Sequence, residues 1–143
     1  MLYITVLYIS GNHISPLYNL ISMIKTYRKG YRAERELLRF LTSRGYSAIR
    51  QASSGGTHSP VDVVAMKAGK ILSFEIKSWS TKPKLAGKQL QAFKQWSDNA
   101  GAMAFLAWYN QNKWKFLPLS DAEKNNYDDE NWIDLDNFFR IFL

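Results

Sequence analysis

A mixed α/β domain, one β-sheet flanked by helices, is the fold class that this 143-residue chain predicts. Three observations predict it. Two apolar runs, residues 61–67 and 70–77, are joined by Ala68-Gly69 and read as a hairpin of strands. Two stretches with apolar residues at helical spacing, 31–44 and 85–99, bracket that hairpin in the chain. Two more apolar runs, 103–109 and 114–117, meet across Asn110-Gln111-Asn112. The order helix, three strands, helix, two strands, helix is that of a sheet covered by helices, and the length suits one domain with a single core.

The first residues stand apart. Met1 to Ile9 is an apolar run, and a weaker one follows over residues 16–23, with Gly11-Asn12 and Ser15-Pro16 as breaks. No basic residue precedes the first run, and it falls well short of the roughly 20 residues of a membrane span. Neither a signal peptide nor an anchor is expected. Residues 1–26 are read as an N-terminal extension and 27–143 as the folded domain, with residues 1–22 either accessory or an upstream translation ahead of Met23.

In the domain, Ala33, Leu37, Leu38, Phe40 and Leu41 form one apolar helix face over 31–44, and Gly45 stands where helices commonly end. Residues 46–51 read as a strand and 52–59 as a polar loop. The near-continuous apolar run 61–67 predicts a strand buried on both faces. Leu90, Phe93 and Trp96-Ser97 mark the helix over 85–99, which ends before Gly101, and 132–142 reads as an amphipathic terminal helix.

Composition narrows the chemistry. The net charge of +7 is uneven, +10 through Ala100 and −3 from Gly101 onward, and a basic body suggests a polyanion partner. The absence of cysteine excludes disulfides and thiolate zinc sites. His13 and His58 are isolated. Any metal is therefore expected on carboxylates and carbonyls, which suit Mg²⁺ or Mn²⁺.

Pro60-Val61-Asp62-Val63-Val64 and Phe74-Glu75-Ile76-Lys77 are the most informative stretches. Side chains alternate along a strand, so Glu75 and Lys77 project from one face. Asp62, entering the neighbouring strand, comes beside Glu75. Two such carboxylates repel unless a divalent cation lies between them. A cation there would activate water and polarise a phosphoryl oxygen, and Lys77 would supply positive charge where negative charge accumulates. The Ile76 carbonyl is a further candidate ligand. The plainer alternative is a surface Glu75–Lys77 ion pair, with Asp62 capping a turn.

At about 100° per residue, Glu34 falls in the apolar arc of Ala33, Leu37 and Leu41, where an unpartnered carboxylate is costly. Glu36 lies outside the arc, as a solvated partner for Arg32 or Arg39. Arg28, Arg32, Arg35 and Arg39 follow i, i+4, i+7, i+11 on the opposite face. Guanidinium forks match phosphate oxygens, so this stripe predicts DNA contact rather than a merely solvated face.

Arg28-Lys29-Gly30 and Ala33-Glu34-Arg35-Glu36-Leu37, then Gly45-Tyr46-Ser47-Ala48-Ile49-Arg50, Pro60-Val61-Asp62, Glu75-Ile76-Lys77, Gly87-Lys88 and Trp114-Lys115-Phe116, together resemble the archaeal Holliday-junction resolvases. These belong to the PD-(D/E)xK nuclease superfamily, with a restriction-endonuclease-like core. The resemblance runs from about residue 27 to the C-terminus and makes 27–143 a nuclease domain. It implies Glu34, Asp62 and Glu75 as metal-site acids for Mg²⁺, with Mn²⁺ able to substitute, and Lys77 as the catalytic lysine. It implies that Arg35 and Arg50 assist catalysis or hold phosphate, and that Ser54 is functional; Lys29 is read with its neighbour Arg28 as a DNA contact. A loop-forming role is the alternative for Ser54. Val61 separates Pro60 from Asp62, where the superfamily name has them adjacent.

The resemblance further implies a homodimer that cuts a four-way DNA junction by paired symmetric nicks. The alternatives are a related nuclease acting on duplex, nicked or flapped DNA, and an inactive DNA-binding module, against which the intact Glu34, Asp62, Glu75 and Lys77 argue. The expected location is with the DNA, cytoplasmic, in an archaeal cell or its virus, and away from membranes.

Of the five tryptophans, Trp96, Trp108, Trp114 and Trp132 read as core or interface. Trp79, in a basic loop with Lys82, Lys84 and Lys88, reads as near DNA. Leu135-Asp136-Asn137-Phe138-Phe139 resembles a sliding-clamp-binding peptide with Trp132 in the glutamine position; packing of the helix on the fold is the competing reading.

Overall fold

The structure, a computed structural model, describes residues 16–51 and 59–143. His13, Ser54, His58 and the 52–58 segment lie outside the described residues, as do residues 1–15 of the extension. The elements are α1 (Pro16–Ser43), β1 (Ser47–Arg50), β2 (Val63–Lys67), β3 (Lys70–Lys77), α2 (Gly87–Ala100), β4 (Met103–Asn110), β5 (Lys113–Pro118), α3 (Leu119–Glu123), β6 (Ile133–Asp134) and α4 (Leu135–Phe142).

The six strands lie side by side in chain order. All neighbours are antiparallel except β3 and β4, which run parallel and are joined over the sheet by α2. Both hairpin turns hold two consecutive residues at positive φ, Ala68 (49°) with Gly69 (83°) and Gln111 (50°) with Asn112 (58°). That is the turn geometry whose twist matches the flanking strands. One sheet face carries Val63, Ala65, Leu72, Phe74 and Ile76 against α1 and α4. The other carries Leu106 and Leu117 against Phe93 of α2 and Ala122 of α3. The expected sheet with helices on its faces is therefore what forms.

Several elements differ from expectation. α1 begins fifteen residues before the expected 31–44 helix, because Leu17, Leu20, Ile21 and Ile24 continue the helical spacing and Pro16 is tolerated in a first turn. These four side chains are 42–54 % exposed, so among the described residues no core covers the added turns. β2 is not buried on both faces: Val64 is half-buried and Met66 and Lys67 are exposed, with Lys67 donating to the Arg44 carbonyl at the end of α1 at 2.9 Å. The expected terminal helix over 132–142 starts later, at Leu135, where Asp134 caps it by accepting the Asn137 N–H at 2.8 Å. Trp132 and Ile133 precede the helix, and Ile133 pairs with Phe116 of β5.

The 135–139 segment is packed into the fold. Phe138 is fully buried, stacked on Phe116 at 4.0 Å and edge-on to Phe105 at 5.0 Å. Phe139 meets Phe40 and lies under the Arg44 guanidinium. A sliding clamp would have to extract these rings from the core. Among the described residues no helix is long and apolar enough to cross a membrane.

Candidate active site

β3 continues past the start of β2, and Asp62 fills the gap left at its edge. The Asp62 backbone N–H donates to Phe74 O and its carbonyl accepts from Gln51, both at 2.8 Å. Its Oδ2 accepts the Ile76 N–H at 2.7 Å, so the carboxylate replaces the missing ladder partner. On β3, Phe74 and Ile76 point into the α1-side core while Ser73, Glu75 and Lys77 share the face toward α2, as strand alternation requires.

Glu75 is 7 % exposed. Its Oε1 accepts from Gln89 Nε2 at 2.7 Å and lies 3.2 Å from Lys77 Nζ. Burial, then the charge of Asp62, pushes the Glu75 carboxyl up to about 8 against the pull of Lys77. Burial also raises Asp62, opposed by the Ile76 amide, the Glu75 carboxyl and Lys77. Two neighbouring carboxyls, one buried and one half-buried, that resist ionising together form the donor set a hard divalent cation suits. Mg²⁺ is commonly bound by one or two carboxylates plus substrate phosphate and water.

Glu34 stands apart from that pair. It is half-buried on α1, and its Oε2 accepts from Arg50 Nη1 at 3.0 Å. Burial and the charge of Asp62 raise it, while Arg50 lowers it. Among the described residues no group of three or more His, Cys, Asp or Glu side chains is arranged to hold a metal ion. The three acids named from the sequence thus divide into a carboxylate pair and a carboxylate–guanidinium pair. Glu36 is not the solvated ion-pair partner expected; it is half-buried and meets the Tyr109 hydroxyl.

Arg28, Lys29, Arg32, Arg35 and Arg39 are exposed along α1. The four arginines, with Tyr27 and Tyr31, line a cleft of about 600 Å³. A smaller cleft of about 150 Å³ joins Tyr31 to Glu34 and Arg50. The spacing-based reading missed Tyr31. Its hydroxyl accepts from Arg35 at 2.7 Å, and Arg50 lies 4.5 Å above its ring. This one ring holds both arginines that the resemblance assigns to phosphate; an aromatic one turn before Arg35 was the available signal.

The loop lysines are arranged less simply than expected. Lys82 pairs with Asp129 and Lys84 lies over Tyr127, while Lys88 is exposed in the first turn of α2. Trp79 is 45 % exposed. Its carbonyl accepts from Trp108 Nε1 at 2.8 Å, and its ring lies 5.2 Å from Lys77 Nζ. Trp114 and Trp132 are buried, and Trp96 and Trp108 pack at the edge of the α2-side core.

The family described as "Archaeal holliday junction resolvase (hjc)" matches residues 25–142. The chain belongs to the archaeal Holliday junction resolvase family. Within it, the chain is 35% identical over 109 residues to the crossover junction endodeoxyribonuclease Hjc of Archaeoglobus fulgidus, covering 72% of this chain and 80% of that one. It is 28% identical over 115 residues to the crossover junction endodeoxyribonuclease Hje of Sulfolobus acidocaldarius, covering 76% and 83%. The solved structure of Archaeoglobus fulgidus Hjc, titled a Holliday junction resolvase, superposes with a TM-score of 0.60 over 78% of this chain and 93% of that one, at 28% identity. The restriction-endonuclease-like architecture expected of this resolvase family is the one observed.

Proposed function

We propose that this chain is a Mg²⁺-dependent endonuclease that resolves four-way DNA junctions, hydrolysing one phosphodiester in each of two symmetric strands. The observation that carries the reading is half-buried Asp62 beside buried Glu75, with Lys77 against the Glu75 carboxylate. Family membership supports the substrate class.

Asp62 and Glu75 would hold the cation, with the Ile76 carbonyl and Glu34 as further ligands once DNA draws Arg50 away. When bound, a divalent cation supplies a more acidic water and polarises the phosphoryl oxygen. Lys77 holds positive charge where the scissile phosphate gains negative charge. Arg35 and Arg50 hold a phosphate beside it, and Arg28, Lys29, Arg32 and Arg39 track the backbone. Lys88, with the more constrained Lys82 and Lys84, would meet the strand from the other side. A C₂ homodimer presents two such sites, as two coordinated cuts require.

The test is cleavage of a mobile-core four-way junction beside its matching linear duplex in Mg²⁺, by wild type and Asp62→Ala. Paired symmetric nicks in the junction alone, lost in the variant, are expected. Equal cutting of the duplex would instead indicate a general nuclease, and tight binding without cutting would indicate a binding module.

A further inference from the structure

α2 meets β3 through a polar seam set in an otherwise apolar interface. Gln89, Phe93 and Ser97 follow i, i+4, i+8 and so share one face of the helix. Phe93 and Ser97 are buried and Gln89 is half-buried. Across from them, Ser73 and Glu75 lie on one face of the strand. Two side-chain hydrogen bonds cross the seam: Ser73 to Ser97 at 2.8 Å, fully buried, and Gln89 Nε2 to Glu75 Oε1 at 2.7 Å. The first pins the helix to the strand away from the carboxylates; the second reaches the carboxylate itself.

Gln89 is the third residue of α2, a position from which a glutamine often turns back to the helix N-cap. Here the N-cap, Ala86, takes part in no side-chain cap bond, and Gln89 Nε2 donates to Glu75 of β3 instead. Lys77 reaches the same oxygen, Oε1, at 3.2 Å. With two donors on one oxygen, the plane of the Glu75 carboxylate is set before any cation or DNA arrives.

We propose that Gln89 is a positioning residue that presents Glu75 to the divalent cation, working through the carboxylate rather than on DNA. It deepens the metal-site reading above and rests on it. Partners of ligating carboxylates commonly change metal affinity by about 10–100-fold when removed.

The experiment is a Mn²⁺ titration of the DNA-free protein by electron paramagnetic resonance, with wild type, Gln89→Met and Asp62→Ala compared and thermal melting as the check on folding. Gln89→Met keeps the length of the side chain and removes its donor; Gln89→Ala is the second variant should the methionine disturb packing. The expected result is Mn²⁺ affinity lowered about 10-fold or more by Gln89→Met at unchanged melting temperature, and lost in Asp62→Ala. Wild-type affinity in the Gln89 variants, with loss in Asp62→Ala, would overturn the role of Gln89 alone. Mn²⁺ binding that survives Asp62→Ala, or none in wild type, would overturn the metal site and the proposal with it.

Discussion

In the metal-free protein, burial and mutual repulsion hold the Glu75 carboxyl up to about 8 and raise Asp62 as well. In the unfolded chain both ionise near pH 4. Between those limits the folded state binds more protons than the unfolded one, so the contribution is full below the unfolded values and declines as pH rises toward about 8. Glu75→Gln keeps an acceptor for Gln89 and removes the titration. In EDTA it should raise the melting temperature by several degrees at pH 8 and leave it unchanged at pH 4, as thermal melts across pH will show. Lys77→Met should lower kcat for junction cleavage by about 10²–10³ and leave junction affinity within a few-fold, if its charge acts at the developing phosphate charge; single-turnover kinetics beside a binding isotherm separate the two. The juxtaposition of Asp62, Glu75 and Lys77 was legible because alternation along one hairpin dictates it. The Glu34–Arg50 and Gln89–Glu75 contacts were not, because each joins a helix to a strand fourteen or more residues away, and local spacing carries no information about such docking.

At the scale of elements, α1 has two sides of different character. Its buried side, Ala33, Leu37 and Leu41, anchors it to the sheet, and its exposed side carries the arginine stripe. If Arg32 and Arg39 each neutralise one phosphate, Arg32→Gln with Arg39→Gln should reduce the slope of log K against log[salt] by about 2, since each contact contributes roughly 0.9. Fluorescence anisotropy on junction and duplex at several salt concentrations measures it, and an unchanged slope would remove the stripe from the DNA contact. The periodicity of 31–44 revealed this helix; its earlier turns keep the spacing at Leu17, Leu20, Ile21 and Ile24, but Lys25-Thr26-Tyr27-Arg28-Lys29-Gly30 interrupts the apolar face and made them read as a separate run. β6 was missed for the complementary reason. It is a two-residue strand defined by pairing with β5, too short to show alternation.

Over the whole molecule, the sheet separates a core rich in aromatic rings from the face that carries the site. Phe74, Phe105, Phe116 and Phe138 meet with ring centroids 4.0–6.1 Å apart on the α1–α4 side. Phe138→Ala should cost about 3–5 kcal/mol through lost burial and the cavity left behind, read as a shift in the denaturant midpoint; a neutral result would mean that the terminal helix is not part of the core. The sheet with helices on both faces could be anticipated from element order. The single parallel pair, β3 with β4, depends on which way α2 crosses, and that depends on packing that only the folded chain reveals. The crossover brings Gln89 over Glu75, so the global topology completes a site whose central residues lie on one hairpin. The most direct test is anomalous diffraction from a crystal of this protein soaked in Mn²⁺. The prediction is an ion bound by Asp62 and Glu75, absent in Asp62→Asn; Mn²⁺ bound only elsewhere would contradict it.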